Sequence, residues 1–462
     1  MHYARISLPV VLAGLLLGGC STVSPVAQPD MPLPEQLGDS SGALTTAPSW
    51  WQDFSDDNLN QLVQQGLKQN FALQAAWASL ESSRAVWRQA GADQFPQLDL
   101  NVKKSRQWQE DDTTTTSWSA GLSASYEVDF WGRVSALDDK ARFTAMSGEA
   151  AVRTQANTVA AQIALNWYGL IKQHELLRLL EQQKQRITDA LKVTEGRFQR
   201  GQAAISDVWQ QQQLLESINT DLISAHAQRD AYHQQLALWT GDAAGLDLNN
   251  PRAYSASDIL PAVDGVDAGV GLNQLQSRPD VQQAWLAVQS ANAGLAAAVA
   301  NRYPRLTLTA SYTGSAPELA DVMDNWVANL AAGLVMPLID GGNRRAAVAQ
   351  SEAEVKAALA DYQQTLLEAA LEVQQALIDE REAAATLLSL QRRLELARKT
   401  EAFQSNRYRK GVGDFLSLLN TREDLITLEQ QVLNARWTQI QKRIELYRAV
   451  SHGDFLHKET SV

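Results

Sequence analysis

The sequence lacks several features that hold together or activate many exported proteins. Its 462 residues include one cysteine, so internal disulfide bonds cannot stabilise the fold. Beyond the N-terminal region there is no uninterrupted run of about 18 apolar residues, which excludes an ordinary transmembrane helix. Acidic side chains outnumber basic ones by 52 to 40, and this balance argues against nucleic acid as a partner.

The sequence also lacks the usual catalytic patterns. It has no zinc-protease helix motif, no serine-hydrolase elbow, no phosphate-binding loop and no thiol nucleophile. His226 and His233 are seven residues apart on a polar helix, where exposure to solvent is the ordinary explanation. The sequence therefore predicts neither an enzyme nor a metal site, and no cofactor beyond covalent lipid.

The single cysteine, Cys20, lies in a characteristic N-terminal context. Arg5 supplies a positive charge, a short apolar run follows, and Leu17-Gly18-Gly19 precedes the cysteine. This order predicts a lipoprotein signal peptide over residues 1–19. Cys20 would then carry S-diacylglycerol and an N-acyl chain, followed by a lipidated linker over residues 20–49. An ordinary secretory signal with an incidental cysteine is the alternative. Ser21, which is not an aspartate, favours the outer membrane as the destination.

The chain contains an internal duplication. Three motifs recur in the same order at nearly constant offset, which is the pattern of a tandem structural repeat. We therefore expect a first repeat over residues 50–250, a connector over 251–277, a second repeat over 278–453 and a tail over 454–462. The recurring pairs are Phe95-Pro96-Gln97-Leu98 with Tyr303-Pro304-Arg305-Leu306, Phe130-Trp131-Gly132-Arg133 with Ile339-Asp340-Gly341-Gly342-Asn343-Arg344, and Arg197-Phe198-Gln199-Arg200-Gly201 with Arg407-Tyr408-Arg409-Lys410-Gly411.

Each repeat has a pair of segments in which apolar and polar residues alternate. Alternation predicts β-hairpins at about 97–129 and 305–338, with strands of the length needed to cross a bilayer at a tilt. Aromatic residues lie near both ends of the apolar faces, as in the interfacial girdles of membrane barrels. A soluble sheet with one wet face is the commoner cause of such alternation and remains an alternative.

Each hairpin is followed by a very long uninterrupted helix and a shorter return helix. The long helices are predicted over residues 135–200 and 344–410, and the return helices over 206–239 and 415–450. Apolar residues recur at steps of three and four, which is the spacing of coiled coils. Four strands in one chain are too few to close a sheet, and open edges in lipid would leave backbone groups unpaired. The sequence therefore predicts an oligomer that shares one barrel.

The linked motifs resemble those of a known family. Tyr126–Arg133, Arg278-Pro279-Asp280-Val281 and the recurring motifs above are similar to those of the TolC-like outer membrane efflux proteins, especially the lipidated NodT and OprM branch. The resemblance implies a mainly α fold with a membrane β-barrel: a homotrimer with a twelve-stranded barrel and a long coiled-coil tunnel crossing the periplasm. It also implies a periplasmic adaptor and an inner-membrane transporter, with the resistance-nodulation-division type favoured, as partners.

The function implied is a passive export channel in the outer membrane of a Gram-negative bacterium, carrying small toxic compounds or drugs. A structural periplasmic coiled-coil lipoprotein without a pore is the rival interpretation. The scaffold does not need paired alternating segments with aromatic ends, and the channel does.

The resemblance also assigns roles to individual residues. Glycines of the two periplasmic turns and the corners between barrel and helices match family positions. Asp207 falls where the family has an acidic residue that hydrogen-bonds a tyrosine, here Tyr408; a helix N-terminal carboxylate is the plainer reading of Asp207. Ser417 and Asn420 stand where some members have aspartates, which makes an acidic ring doubtful and leaves Asp414 as a substitute. The candidate positions are the gate residues Asp207, Tyr408, Asp414, Ser417 and Asn420, the turns Gly201, Gly411 and Gly413, and the corners Trp131, Gly132, Gly341 and Gly342.

Overall fold

The structure is a computed structural model that describes residues 23–29, 31–34, 36–38, 49–108, 110, 114–246, 259–265 and 269–451. The predicted signal peptide, Cys20 and the C-terminal tail lie outside these residues. None of the helices in the described ranges is long and apolar enough to cross a membrane. The described chain is mostly helical and divides into two compact units. Of the described residues, those up to 31, 78–150 and 282–365 belong to the first unit, and those within 32–77, 151–281 and 366–451 to the second.

The helices follow the same order in both halves of the chain. Three pairs of corresponding helices have equal lengths: the two longest have 67 residues each, their return helices 36 each, and the helices before the hairpins 22 each. The bounds are α1 Asp57–Gln69, α2 Phe71–Ala92, α3 Arg133–Gln199, α4 Ile205–Thr240, α5 Leu272–Gln276, α6 Pro279–Ala300, α7 Asn343–Arg409 and α8 Phe415–Val450.

The four long strands form one antiparallel sheet in the first unit. Its order is β2-β3-β5-β6, so β2 and β6 are the edges and the two hairpins meet at β3 and β5. The register pairs Leu100 with Leu122, Leu122 with Tyr312, and Ala310 with Leu330. The strands are β1 Gln36–Leu37, β2 Gln97–Trp108, β3 Thr114–Val128, β4 Val270–Gly271, β5 Arg305–Ala316 and β6 Trp326–Val335.

The apolar stripe predicted on α3 is buried along most of its length. Val159, Ile163 and Leu170 have no exposed surface, and Ile187 is 2% exposed. The stripe then fails near the end of the helix, where Phe198 is 42% exposed. The spacing of apolar residues thus identified the shared face, but not how far along the helix that face is covered.

The connector between the repeats is tied down in the second unit. β1 pairs antiparallel with β4, which joins the segment before the first repeat to the segment before the second. Residues 259–265 are held by three side chains of α8: Arg436, Gln439 and Arg443 donate to the carbonyl oxygens of Leu260, Val263 and Asp264. We call this arrangement the clasp. It has no sequence signature, because every residue offers a carbonyl acceptor.

Candidate functional site

The first tip turn, residues 200–204, joins α3 to α4. Gly201 has φ +71°, in the left-handed region that side chains other than glycine disfavour. The N–H of Gly201 donates to the carbonyl of Phe198, and the N–H of Gln202 donates to that of Arg197, each at 2.8 Å. This pattern is the Schellman motif, which satisfies the last carbonyl groups of a helix and ends it.

The second tip turn, residues 410–414, repeats that geometry between α7 and α8. Gly411 has φ +75°, and its N–H donates to the carbonyl of Tyr408 at 3.0 Å. The N–H of Val412 donates to the carbonyl of Arg407 at 3.1 Å. Two turns with the same hydrogen bonds at corresponding positions show that the duplication extends to backbone detail.

Gly413 is needed for a different reason from the two turn glycines. Its φ is not positive, but a Cβ at this position would lie 2.7 Å from the backbone nitrogen of Tyr408. It would also lie 2.9 Å from the carbonyl carbon of Arg407. Because both atoms belong to the backbone, a side chain at residue 413 would force the turn to shift.

The two tip turns start their return helices differently. Asp414 caps α8 by accepting a hydrogen bond from the N–H of Ser417 at 2.8 Å, and the Ser417 hydroxyl donates to the same oxygen. The first residue before α4 is Ala204, which has no capping side chain. Asp207, in the first turn of α4, instead accepts a hydrogen bond from the N–H of Ala204 at 3.3 Å. Within the single chain, the contacts of Asp207 are therefore those of a carboxylate at a helix N-terminus.

The single chain does not join Asp207 to Tyr408. Among the described residues, the Asp207 carboxylate accepts hydrogen bonds from Ala204 and Ser206. The Tyr408 ring lies beneath Arg197, whose guanidinium carbon is 4.4 Å from the ring centroid, and it contacts Phe415 at 5.7 Å. Arg197 therefore links the two tip turns. Sequence reasoning missed this role, although Arg197 opens the recurring motif of the first turn.

A cavity of about 470 Å³ lies beside the second tip turn. Its wall combines apolar side chains such as Phe415 with the ion pair of Arg422 and Glu401, whose charged atoms are 3.3 Å apart. Asn420 is exposed on α8.

A buried carboxylate links three helices farther from the tip. Glu429 of α8 is 8% exposed and receives Arg186 of α3 at 2.6 Å and Gln183 at 3.1 Å. Arg398 of α7 approaches it at 3.8 Å. Glu429 therefore connects α3, α7 and α8 through one carboxylate, whose arginine partners stay at the surface.

The predicted corners begin the long helices. Gly132 has φ +74°, and Asp129 accepts hydrogen bonds from the N–H groups of Val134 and Ser135 at 3.0 and 2.7 Å. At the second corner Gly341 and Gly342 have φ +64° and +89°. There Asp340 accepts from the N–H groups of Gly342 and Arg344 at 3.0 and 3.2 Å.

Trp131 connects the two repeats at the first corner. Its ring stacks on Tyr303 with centroids 4.7 Å apart, and its indole N–H donates to the carbonyl of Pro304 at 2.9 Å. The aromatic-proline motif of the second repeat thus packs on the corner motif of the first. Sequence comparison found both motifs but not this contact.

Arg278, from the Arg278-Pro279-Asp280 motif, is a buried cation in the second unit. It is 7% exposed and donates to Asp280 at 2.7 Å, to Glu372 at 2.6 Å and to the carbonyl of Ala449 at 2.8 Å. Burial disfavours its charged form, yet the two carboxylates outweigh burial and raise the pKa of Arg278. The same guanidinium lowers the pKa of Asp280 against the effect of burial.

The expectation that both α4 histidines are solvated is wrong for His233. Its ring is partly buried, with its centroid 6.5 Å from that of His174 on α3. Burial is the larger cause that lowers the pKa of His233, and the charge of the nearby His174 lowers it further. Within the described residues no group of three or more potential ligands could hold a metal ion.

Comparisons with known proteins agree with this architecture. The chain is 28% identical over 472 residues to the solvent efflux pump outer membrane protein SrpC of Pseudomonas putida, an alignment that covers 97% of this chain and 98% of the relative. It is 26% identical over 466 residues to the cation efflux system protein CusC of Escherichia coli K12, with 96% and 99% covered.

A crystal structure of CusC has the same fold, with a TM-score of 0.85 at 24% identity and with 94% of this chain and 100% of the other covered. The predicted fold class, a long helical part with one sheet of four long β-strands in each chain, is therefore confirmed. A sequence model described as "Outer membrane efflux protein" matches residues 62–242 and 272–452, which together form most of both repeats. The chain therefore belongs to the outer membrane efflux protein family.

Proposed function

We propose that this protein is the passive outer-membrane channel of a tripartite efflux system and that three copies share one twelve-stranded barrel. The observation that carries this proposal is the four-stranded sheet, whose edge strands β2 and β6 each pair on one side only. Its apolar face is open, with Leu100 71% and Leu330 81% exposed. Such a sheet is stable in lipid only when further strands pair with both edges.

The proposal is tested by cysteine pairs across the expected seam between protomers. One cysteine replaces an outer-edge residue of β2 and the other an outer-edge residue of β6, in a Cys20→Ser background. Oxidation should give a covalent trimer that still conducts ions in a planar bilayer. A control variant with one cysteine in β2 and the other in α1 should give no covalent trimer. A non-conducting monomer with a protected sheet would support the rival scaffold instead.

We further propose that Asp207 and Tyr408 hold the periplasmic tip closed across the boundary between protomers. Within the described chain the Tyr408 hydroxyl has no hydrogen-bond partner, and Asp207 lies on the exposed first turn of α4. A phenol that donates to a carboxylate of the next protomer would supply three equivalent contacts around the pore. Each contact alone is weak enough to yield to a docking partner.

The gate proposal predicts a leaky channel when the contact is removed. Asp207→Asn combined with Tyr408→Phe should raise single-channel conductance and sensitise cells to large antibiotics. Asp57→Asn, which changes a first-turn aspartate of α1, is the matched control and should leave both unchanged. Unaltered conductance in the double variant would remove Asp207 and Tyr408 from the gate. The polar group Asp414, Ser417 and Asn420 is proposed to line the same constriction.

The partners follow from the class of channel. The chain carries no energy-converting motif, so transport requires an inner-membrane transporter, for which the resistance-nodulation-division type is proposed, and a periplasmic adaptor. A photo-crosslinking residue in place of Val412, which is 66% exposed in the second tip turn, should capture that adaptor. The same residue in place of Leu246, 51% exposed, is the control and should not. The adaptor captured would identify the pump and so the class of compound exported, which relatives suggest includes solvents or cations.

Lipidation of Cys20 is proposed from the sequence context alone. Mass spectrometry of the mature N-terminus should find S-diacylglycerol and an N-acyl chain on Cys20. Cys20→Ser should abolish both and leave the trimer assembled, because the barrel itself holds the membrane. A trimer lost from an exported and processed variant would contradict this.

A further inference from the structure

The register of the four-stranded sheet separates two faces of very different composition. Directly paired residues point to the same side, so the pairing assigns every side chain of β2, β3, β5 and β6 to one face. One face carries serine, threonine and glutamine together with charges of both signs, including Asp99, Lys103, Glu127 and Arg305. The other face is apolar, with leucine, valine, alanine and aromatic side chains.

Two charged residues interrupt the apolar face of the paired strands, and both are cations. Lys104 and Arg106 alternate with Lys103 and Ser105 along β2, so they project to the same side as Leu98, Leu100 and Val102. All the other residues paired on this face are uncharged. Lys104 and Arg106 are two residues apart on one strand, and their Cα atoms are about 7 Å apart.

Both cations lie at the same end of the sheet. They are the last apolar-face residues of β2 before Trp108, where the chain turns towards β3. The opposite end of β2 follows α2, and β3 leads into α3, so the helices leave the sheet at the end remote from Lys104 and Arg106. In a channel whose helices extend into the periplasm, the two cations are therefore at the level of the external leaflet.

Tryptophans accompany the two cations. The Lys104 ammonium is 4.8 Å from the ring centroid of Trp118, its partner on β3, and the Arg106 guanidinium carbon is 5.5 Å from the centroid of Trp108. Tryptophan is favoured at the membrane interface. Within the described residues neither cation forms an ion pair with a carboxylate. Each cation thus rests on an aromatic ring.

We propose that Lys104 and Arg106 form a binding site for the phosphorylated headgroup of a lipid in the external leaflet, of the lipid A type. The inference rests on the proposed channel function, since only a membrane-inserted sheet presents this face to lipid. A lipid-facing cation is far more costly at the bilayer midplane than near the interface, so two cations are tolerated at this depth. Phosphate complements them in charge and in acceptor geometry, while acyl chains pack below on Leu100 and Val102.

Native mass spectrometry of the detergent-purified oligomer tests the proposal. Lipid A with both phosphates is titrated onto the native protein and onto Lys104→Gln/Arg106→Gln, and its affinity should fall at least tenfold in the variant. Lys103→Gln/Arg305→Gln is the matched control, because it removes the same charge from the polar face, and should change affinity less than twofold. The exchange Lys104→Arg/Arg106→Lys should retain binding, which separates charge from folding.

Other outcomes would overturn the proposal. Equal binding of dephosphorylated lipid A would mean that the apolar face alone attracts lipid. Displacement of lipid A by millimolar inorganic phosphate would indicate a free-phosphate site, and an equal loss of binding in the polar-face control would indicate a general effect of charge. Conductance of the double variant in phosphatidylcholine bilayers separates this test from that of the channel: a conducting channel with unchanged lipid A affinity refutes the lipid site alone.

Discussion

Asn70 and Arg278 occupy corresponding positions in the two repeats, directly before α2 and α6, and they make the same contact with different chemistry. Asn70 donates to the carbonyl of Trp239 at 3.0 Å, and Arg278 donates to that of Ala449 at 2.8 Å. Each acceptor is the penultimate residue of a return helix. The duplication has therefore preserved a link from the start of one helix to the end of another.

The difference lies in what each donor requires around it. Asn70 is neutral, and its own oxygen caps α2 by accepting from the N–H of Leu73 at 3.0 Å. Arg278 brings a charge into a buried place, which is compensated there by Asp280 and Glu372. The same backbone contact can thus be made by a neutral group that is easily buried, or by a charged group that needs carboxylate partners to compensate its burial.

The largest expected effect comes from removing the charged version. Arg278→Ala leaves Asp280 and Glu372 without their shared cation and should destabilise the second unit by about 3–5 kcal/mol. Asn70→Ala removes two neutral hydrogen bonds and should cost about 1–3 kcal/mol. Thermal unfolding of the purified oligomer measures both, with exposed Arg392→Ala as the control. Equal losses of stability in Arg278→Ala and Asn70→Ala would show that the charged and the neutral contact contribute alike.

Lowering the pH should weaken the stabilising contact at Arg278 but not the one at Asn70. In the folded chain Arg278 holds the pKa of Asp280 below its ordinary value of 3.8, so the unfolded chain takes up the proton more readily. The stabilisation is complete above that ordinary value and is lost as the pH falls through the folded pKa. The melting temperature of Asp280→Asn should therefore lie below that of the native protein at pH 7, and the gap should narrow below about pH 4. A difference in melting temperature that stays constant with pH would refute the ion-pair explanation. In the first repeat, Ala72 stands at the position of Asp280, so the contact of Asn70 involves no such carboxylate.

The two corners offer a smaller contrast of the same kind. Asp129 caps α3 through two backbone N–H groups and the Ser135 hydroxyl in partly buried surroundings, so Asp129→Ala should cost about 1 kcal/mol. Asp340 makes similar backbone contacts but is exposed, and Asp340→Ala should cost less. Amide hydrogen exchange at the first turns of α3 and α7 reports each cap separately. A larger increase in exchange at α7 in Asp340→Ala than at α3 in Asp129→Ala would contradict the expected order of the two costs.

The smallest expected effect concerns the histidine pair of the first repeat. The fold favours neutral His233, so the unfolded chain binds the proton more readily and stability falls as the pH drops below about 6.5. His233→Asn should flatten this slope slightly between pH 7 and 5. Arg229 and Asp230, whose charges act on His233, remain in this variant. An identical slope in the native protein and in His233→Asn would exclude the pair as a source of pH dependence.

The sequence predicted the elements of the fold well because their signals are local. Absence of proline and turn clusters predicted the long helices, and alternation predicted the strands. Glycine positions predicted the turns at Gly201 and Gly411 and the corners where the long helices begin. The family assignment made from the linked motifs is confirmed by the family match over both repeats. The roles of Asp207 and Tyr408 in a gate stay predictions.

Side-chain partners were harder to predict from sequence. The motif that contains Arg197 was recognised, yet nothing in it indicates that its guanidinium covers Tyr408 while Asp207 turns to Ala204. The exposure of His226 and His233 was inferred from a polar helix, but His233 is partly buried, and its ring lies 6.5 Å from that of His174 on a neighbouring helix. Contacts between residues distant in sequence depend on how helices are rotated about their axes, and periodicity fixes that rotation only to a broad face.

By itself the sequence determined the order of the repeats, the lengths of helices and strands and the division of the sheet into an apolar and a polar face, because each depends on residue spacing of two to four. Only the tertiary structure decided that α8 clasps the connector, that Glu429 joins three helices and that Arg278 reproduces the contact of Asn70. Those interactions use backbone carbonyls or charges brought together from distant segments. Their energy depends on burial, which exists only once the helices have packed.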